Sequence, residues 1–277
     1  MKPVDLAFRA LLVVALVTTL AFLALPVAAI FLDVSPGRLL DGMRSDAARD
    51  ALVVTLKTNL VAQAGVVLLG TPAAYLLATR RFRGRALAVT LVELPLVLPP
   101  AVAGIGLLAA FGTLGLLGGT IDALGIVLAF TQTAVVLAVA FVASPFYIRS
   151  AIAAFEAVDE SLLEASRTLG AGPAKTFARV ALPLAAGGLG AGLALAFARG
   201  IGEFGATIMF AGSLQGVTQT LSLAIYEQFD VSFDVALGIS ALLVLVSGAL
   251  LLAVKVVPAW TRSVSIFSTP SARSASS

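Results

Sequence analysis

The sequence predicts an all-α, polytopic membrane protein of about six transmembrane helices. Three observations carry that prediction. Of 277 residues, 60% are hydrophobic and only 12% charged, and the mean hydropathy is +1.06; soluble domains carry roughly 25% charged residues. The apolar residues gather in repeated runs of roughly 20, long enough to cross a hydrocarbon core of about 30 Å as helices. Those runs also lack the roughly ten-residue alternating pattern of outer-membrane barrel strands.

Six stretches follow in order along the chain: 10–32, 51–78, 86–111, 124–148, 184–211 and 235–257. Lys2 and Arg9 precede the first, and its "ALPVAA" segment looks like a signal-peptide cleavage pattern. Its apolar run exceeds the usual length of about 7–15 residues for such a signal, so it reads as a retained helix. Orientation follows from the basic residues. With the N-terminus in the cytoplasm, the inner side receives Lys2, Arg9, Arg80, Arg81, Arg83, Arg85, Arg149, Arg167, Lys175, Arg179, Lys255, Arg262 and Arg273. The outer side receives only Arg38, Arg44, Arg49 and Lys57, and Arg199 is left within a span. The positive-inside rule therefore places both termini in the cytoplasm.

The chain divides into an N-terminal helix with its outer loop (1–50), a five-helix core (51–257) and a serine-rich, frayed cytoplasmic tail (258–277). Outer loop 33–50 mixes Asp33, Asp41, Asp46 and Asp50 with three arginines, and loop 112–123 is rich in glycine. The absence of cysteine and histidine removes disulfides, thiol nucleophiles, Cys/His metal sites and imidazole acid–base chemistry. A net charge of +3 is explained by the cytoplasmic topology signal, with no need of nucleic acid. No G-x-x-x-x-G-K-[ST] loop is present, so the chain does not hydrolyse nucleotide alone.

The longest cytoplasmic connection runs over 149–183. Asp159 and Glu160 open a short helix over 161–168, and Gly170, Gly172 and Pro173 stop it. A second short helix, 174–181, is closed by Pro183. Within the loop stand Glu164-Ala165-Ser166, three residues, Gly170, nine residues, then Val180-Ala181-Leu182-Pro183. A short helix with small residues can seat in a cleft of another subunit, and Gly170 permits a sharp turn where a side chain would obstruct. The bland alternative is an amphipathic helix resting on lipid.

This spacing resembles that of the permeases of binding-protein-dependent ABC importers, which carry Glu-Ala-Ala, three residues, Gly, nine residues, Ile-x-Leu-Pro in the same loop. Ser166 replaces the second Ala and Val180 the Ile. The segment from Phe197 through Arg199-Gly200-Ile201-Gly202-Glu203-Phe204-Gly205-Ala206-Thr207 to Tyr226 is similar to molybdate transporter permeases, with sulfate, thiosulfate and tungstate permeases as near relatives.

The resemblance implies the type I permease fold of an ABC importer in a bacterial or archaeal inner membrane. Glu164, Ala165, Ser166, Gly170, Leu182 and Pro183 would then form the ATPase-coupling loop. It implies a cytoplasmic ABC ATPase that binds ATP and Mg, a periplasmic oxyanion-binding protein and a second permease copy. No cofactor, metal or catalytic residue is expected in this chain, and no nucleic-acid partner.

Other readings differ in what they require. An ion-gradient-driven transporter leaves the docking loop unexplained. An intramembrane enzyme would have only Glu93, Arg199 and Glu203 to work with. Read as residues, Arg199, Glu203 and Thr207 share a helix face at four-residue spacing. That face lines an anion route or holds a buried ion pair that fixes packing. Gly200, Gly202 and Gly205 serve close packing or bending. Pro95, Pro99 and Pro100 mark a gate hinge or a simple kink.

Overall fold

The computed structural model describes residues 3–266, which are helical without strands. In order the helices are α1 (Pro3–Leu32), α2 (Pro36–Arg44), α3 (Asp46–Thr79), α4 (Arg85–Val97), α5 (Pro100–Phe111), α6 (Gly118–Ala123) and α7 (Gln132–Glu156). There follow α8 (Glu160–Thr168), α9 (Pro173–Thr176), a π-helical turn (Phe177–Ala181), α10 (Leu182–Ile201), α11 (Gly205–Ala211), α12 (Leu221–Val231) and α13 (Phe233–Ile266). Five of these runs are long and apolar enough to cross a membrane, and the bent pair α4–α5 supplies a sixth.

Helices α3 and α7 form the frame. Ser45 caps α3 by accepting the Ala48 N–H at 3.2 Å, and Thr131 caps α7 by accepting that of Ala134 at 3.3 Å. Polar pairs tie both ends of the frame. Lys57 Nζ donates to Gln132 Oε1 at 2.8 Å at one end, and Arg85 Nη2 meets Glu156 Oε1 at 2.9 Å at the other. The 25 residues of α7 between these ties measure about 37 Å at 1.5 Å per residue, enough for a hydrocarbon core of about 30 Å. Arg80, Arg81, Arg83 and Arg85 gather at the second tie, so that rim is the cytoplasmic one. Helix α10 lies along the frame with glycines at the crossing. A Cβ on Gly192 would stand 2.6 Å from Ser150 Cβ, which only close backbone approach produces.

Five boundaries differ from the sequence reading. The third span is two helices, α4 and α5, turned by 117° at Leu98–Pro99. Pro99 and Pro100 provide no N–H to carry α4 onward, and Pro100 starts α5 at its first turn. The fifth span breaks at Gly202–Phe204, so 184–211 is not one helix. Helix α7 continues past Arg149 to Glu156, and Pro183 sits within a continuous span from Pro173 to Ile201. The connecting loop is correspondingly shorter than 149–183. The π-turn explains how a helix passes Pro183: its wider register lets Leu182 N–H reach Phe177 O, so the ring meets no intact i→i−4 ladder. At the C-terminus α13 runs to Ile266, into the stretch read as tail; residues 267–277 lie outside the described residues.

Helix α1 has no buried residue from Phe8 to Leu32 and packs along α13. An apolar helix with this much exposed leucine and valine has lipid as its solvent.

Candidate functional site

The loop between α7 and α10 folds as a rigid bracket. Asp159 Oδ1 accepts the Ser161 N–H at 2.9 Å and starts α8. The hydrogen bonds from Ser161, side chain first and backbone second, hold the Asp159 carboxyl below its ordinary value of 3.8. Helix α8 ends in a Schellman turn: Gly170 N–H donates to Arg167 O at 2.9 Å and Ala171 N–H to Ser166 O at 3.1 Å. Gly170 has φ +83° with open space around its Cα. Its requirement is the left-handed backbone, not the relief of an obstruction that the sequence suggested.

One side of α8 is anchored. Leu163 is buried in a cluster with Phe155 and Ala181, beside three packed rings. Tyr75 stands 5.2 Å from Phe155 and 4.8 Å from Phe177, centroid to centroid. Ser166 shares a hydrogen bond of 3.1 Å with the fully buried Thr176 on α9, so the residue that replaces the motif's second Ala ties α8 to the base of α10. The opposite side is free: Glu164 and Ala165 are exposed, and Leu169 at the tip is 88% exposed. Leu182 is half-buried against the core and Pro183 exposed. Ser166, Leu163 and the rings thereby connect α8 to α3, α7 and the base of α10.

The second group of candidates lies at the opposite end of the frame. Arg199 Nη2 stands 2.8 Å from Glu203 Oε2; their side chains are 29% and 1% exposed. Glu203 sits in the break after α10, and its Oε1 accepts the Ala206 N–H at 2.8 Å, starting α11. The shared helix face expected for Arg199, Glu203 and Thr207 is therefore not formed. Thr207 belongs to α11 and is fully buried, its Oγ1 without a hydrogen-bond partner. Asn59 Nδ2 donates to Phe197 O at 3.0 Å and Gln63 Nε2 to Ala196 O at 3.1 Å, fixing this end of α10 to α3. Asn59 is two residues from Lys57, so the cluster lies near the outer rim, away from the bilayer centre. Gly200 lets the helices approach, since a Cβ there would stand 2.6 Å from Asn59 Oδ1. Gly202 has open space and sits at the break, so packing and bending are divided between these glycines. Pro95 lies inside α4, and Pro99 and Pro100 form the corner with α5.

Residues 67–260 match the family model described as the binding-protein-dependent transport system inner membrane component. This chain belongs to that family of permeases. It is 43% identical to the molybdenum transport system permease protein ModB of Mycobacterium tuberculosis over 85% of this chain and 89% of that one. The ModB of Escherichia coli K12 is 40% identical over 66% of this chain and 80% of that one. A probable sulfate transport system permease protein of Nephroselmis olivacea is 34% identical over 78% and 76%. Among solved structures, a bacterial alginate ABC transporter, in complex with its alginate pentasaccharide-bound periplasmic protein, superposes with a TM-score of 0.72 at 15% identity, covering 90% of the permease and 93% of that chain. The inward-facing MetNI methionine ABC transporter gives 0.58 at 20% identity, covering 75% and 92%. At these identities the structural matches establish the fold, that of an ABC importer permease.

Sequence reasoning missed two polar features of the permease. Asn59 and Gln63 stand four apart within an apolar run, a signal that marks polar residues as helix–helix glue. Thr71 and Tyr147, also intramembrane, share a buried hydrogen bond of 2.6 Å between α3 and α7. The partners of Asn59 and Gln63 on α10, and of Thr71 on α7, are not visible in the sequence because they lie far away along the chain.

Proposed function

We propose that this permease moves molybdate inward across the bacterial or archaeal inner membrane, driven by a separate ATPase. The observation that carries the cargo is the 43% identity to molybdenum permeases over 85% of the chain, against 34% to a sulfate permease. Sulfate, thiosulfate or tungstate is the second reading, favoured by that sulfate relative.

In this proposal α8 is the coupling helix. Its exposed side, Glu164, Ala165 and Leu169, seats on a cytoplasmic ABC ATPase, which binds ATP and Mg; its buried side passes closure of that partner into the bundle. The corner at Pro99 and Pro100, with Pro95 one turn back inside α4, is the hinge where α4 and α5 change angle. A periplasmic oxyanion-binding protein hands over the anion at the outer loops. A second copy of the chain completes the route, and its support is α4, a core helix with no buried residue of its own. Arg199 and Glu203 brace the outer corner, their charges mutually engaged. The chain makes and breaks no covalent bond.

The test is intracellular molybdenum, measured by elemental analysis in cells grown on limiting molybdate with excess sulfate. Deleting the chain is expected to lower molybdenum at least tenfold, with recovery on return of the wild type and none on return of Glu164→Arg. Unchanged molybdenum with impaired sulfate uptake would transfer the proposal to sulfate.

A further inference from the structure

Two ion pairs join α4 to α7, and they lie at different depths. Arg85–Glu156 sits at the cytoplasmic rim. Arg149 Nε and Glu93 Oε1 stand 3.2 Å apart, eight residues up α4 and seven residues back along α7. The two pairs make α4 antiparallel to α7 and place Glu93–Arg149 about 10–12 Å inward from the rim. That is about a third of the way through the hydrocarbon.

The side chains of this inner pair are 60% and 39% exposed for Arg149 and Glu93. Charged groups at such depth face a bundle interior or a water path, because lipid does not solvate them. Among the described residues the Arg149 guanidinium meets Glu93 as an ion pair and forms no hydrogen bond, which leaves N–H donors of its fork available. The same face of α4 carries exposed Thr90 one turn nearer the rim, while Leu91, two residues before Glu93, lies on the opposite side of the helix. An exposed ion pair without a hydrogen bond is suited to exchange one anionic partner for another.

We propose that Glu93 and Arg149 line the cytoplasmic half of the transport route and that Arg149 is a transient oxyanion-binding group there. The guanidinium releases Glu93 when a tetrahedral dianion arrives and recovers it when the anion departs. The pair thus offers the passing anion a positive site, and Glu93 keeps that site from holding it. This rests on the oxyanion-import reading.

The chain has no cysteine, so single thiols can be placed without background. Thr90→Cys and, at the same depth, Leu91→Cys are made in the full transporter in inside-out membrane vesicles and treated with an anionic, membrane-impermeant methanethiosulfonate. The expected result is modification of Thr90→Cys at least tenfold faster than Leu91→Cys, slowed by millimolar molybdate. Equal, slow rates at both positions, in vesicles whose wild-type transporter carries molybdate, would overturn the route. Protection by sulfate instead of molybdate would uphold the route and overturn the cargo, separating the two readings. As a second readout, Arg149→Gln is expected to lower molybdate uptake more than tenfold, Arg149→Lys less than Arg149→Gln, with the ATPase still co-purifying. Full uptake by Arg149→Gln would overturn the binding role.

Discussion

The permease holds two intramembrane Arg–Glu pairs that are built in opposite ways. Arg199–Glu203 joins residues four apart at 2.8 Å, its carboxylate 1% exposed and committed a second time to the Ala206 N–H. Arg149–Glu93 joins two separate helices at 3.2 Å, and both side chains are more than a third exposed. The first pair closes a break in the backbone, and removing either charge leaves the other stranded. The second stays open on the side away from its helices. A charge in an apolar run thus carries no single meaning; the number of groups that already satisfy it separates a brace from a candidate binding group.

Stability breaks this comparison most sharply. Glu203→Ala is expected to lower the unfolding free energy by about 3–5 kcal/mol, because Arg199 and the start of α11 lose their partner together. Glu93→Ala should cost less than about 1 kcal/mol if its surroundings are wet, as for other exposed pairs. Thermal denaturation of the two variants in the same detergent measures the difference, and equal losses would mean that the inner pair is sealed as well.

The α8 bracket sharpens the contrast at an intermediate scale. Gly170→Ala puts a Cβ on a φ of +83° and is expected to cost about 1–2 kcal/mol, concentrated at the end of α8. Hydrogen exchange should show the 165–171 amides losing protection while α10 is unchanged. Ser166→Ala removes the hydrogen bond to buried Thr176 and should cost about 1 kcal/mol. Ser166→Thr, which retains a hydroxyl, should recover part of that loss in the same measurement.

The smallest effect belongs to Asp159, an exposed cap with no ion-pair partner among the described residues. Its carboxyl is held below 3.8 on folding. A carboxyl depressed in the folded state contributes stability that is complete above its unfolded value and is lost as pH falls through the folded one. Helix α8 should therefore keep its start unchanged above about pH 5 and fray below the ordinary carboxylate range. Asp159→Ala should remove that pH dependence, as read from exchange at the Ser161 and Leu162 amides.

Much of the architecture was legible because a bilayer imposes a simple rule. Apolar runs and the Glu164–Pro183 spacing sufficed for the class and the position of the bracket, since each depends on local composition or on residues close in sequence. Boundaries at Arg149 and Pro183 were misread because α7 is continued by burial of Ala151 and Phe155 against Tyr75, and the later helix by a π-turn, which no local propensity encodes. The corner at Pro99 was visible as a break, while its 117° angle was not, because packing of α5 against α11 sets the direction.

By itself the sequence determined that this chain is a membrane-embedded helical bundle with a structured loop between two of its spans. Tertiary structure alone decided which charges are sealed and which remain open. Arg199 and Glu203 look like a pathway motif as four-spaced letters, yet the chain break turns Glu203 into a helix cap at the outer rim. Glu93 and Arg149 look unrelated, yet antiparallel packing of α4 on α7 brings them together within the membrane. Desolvation of a charge depends on everything packed around it, and that is a property of the assembled helices rather than of any run of residues.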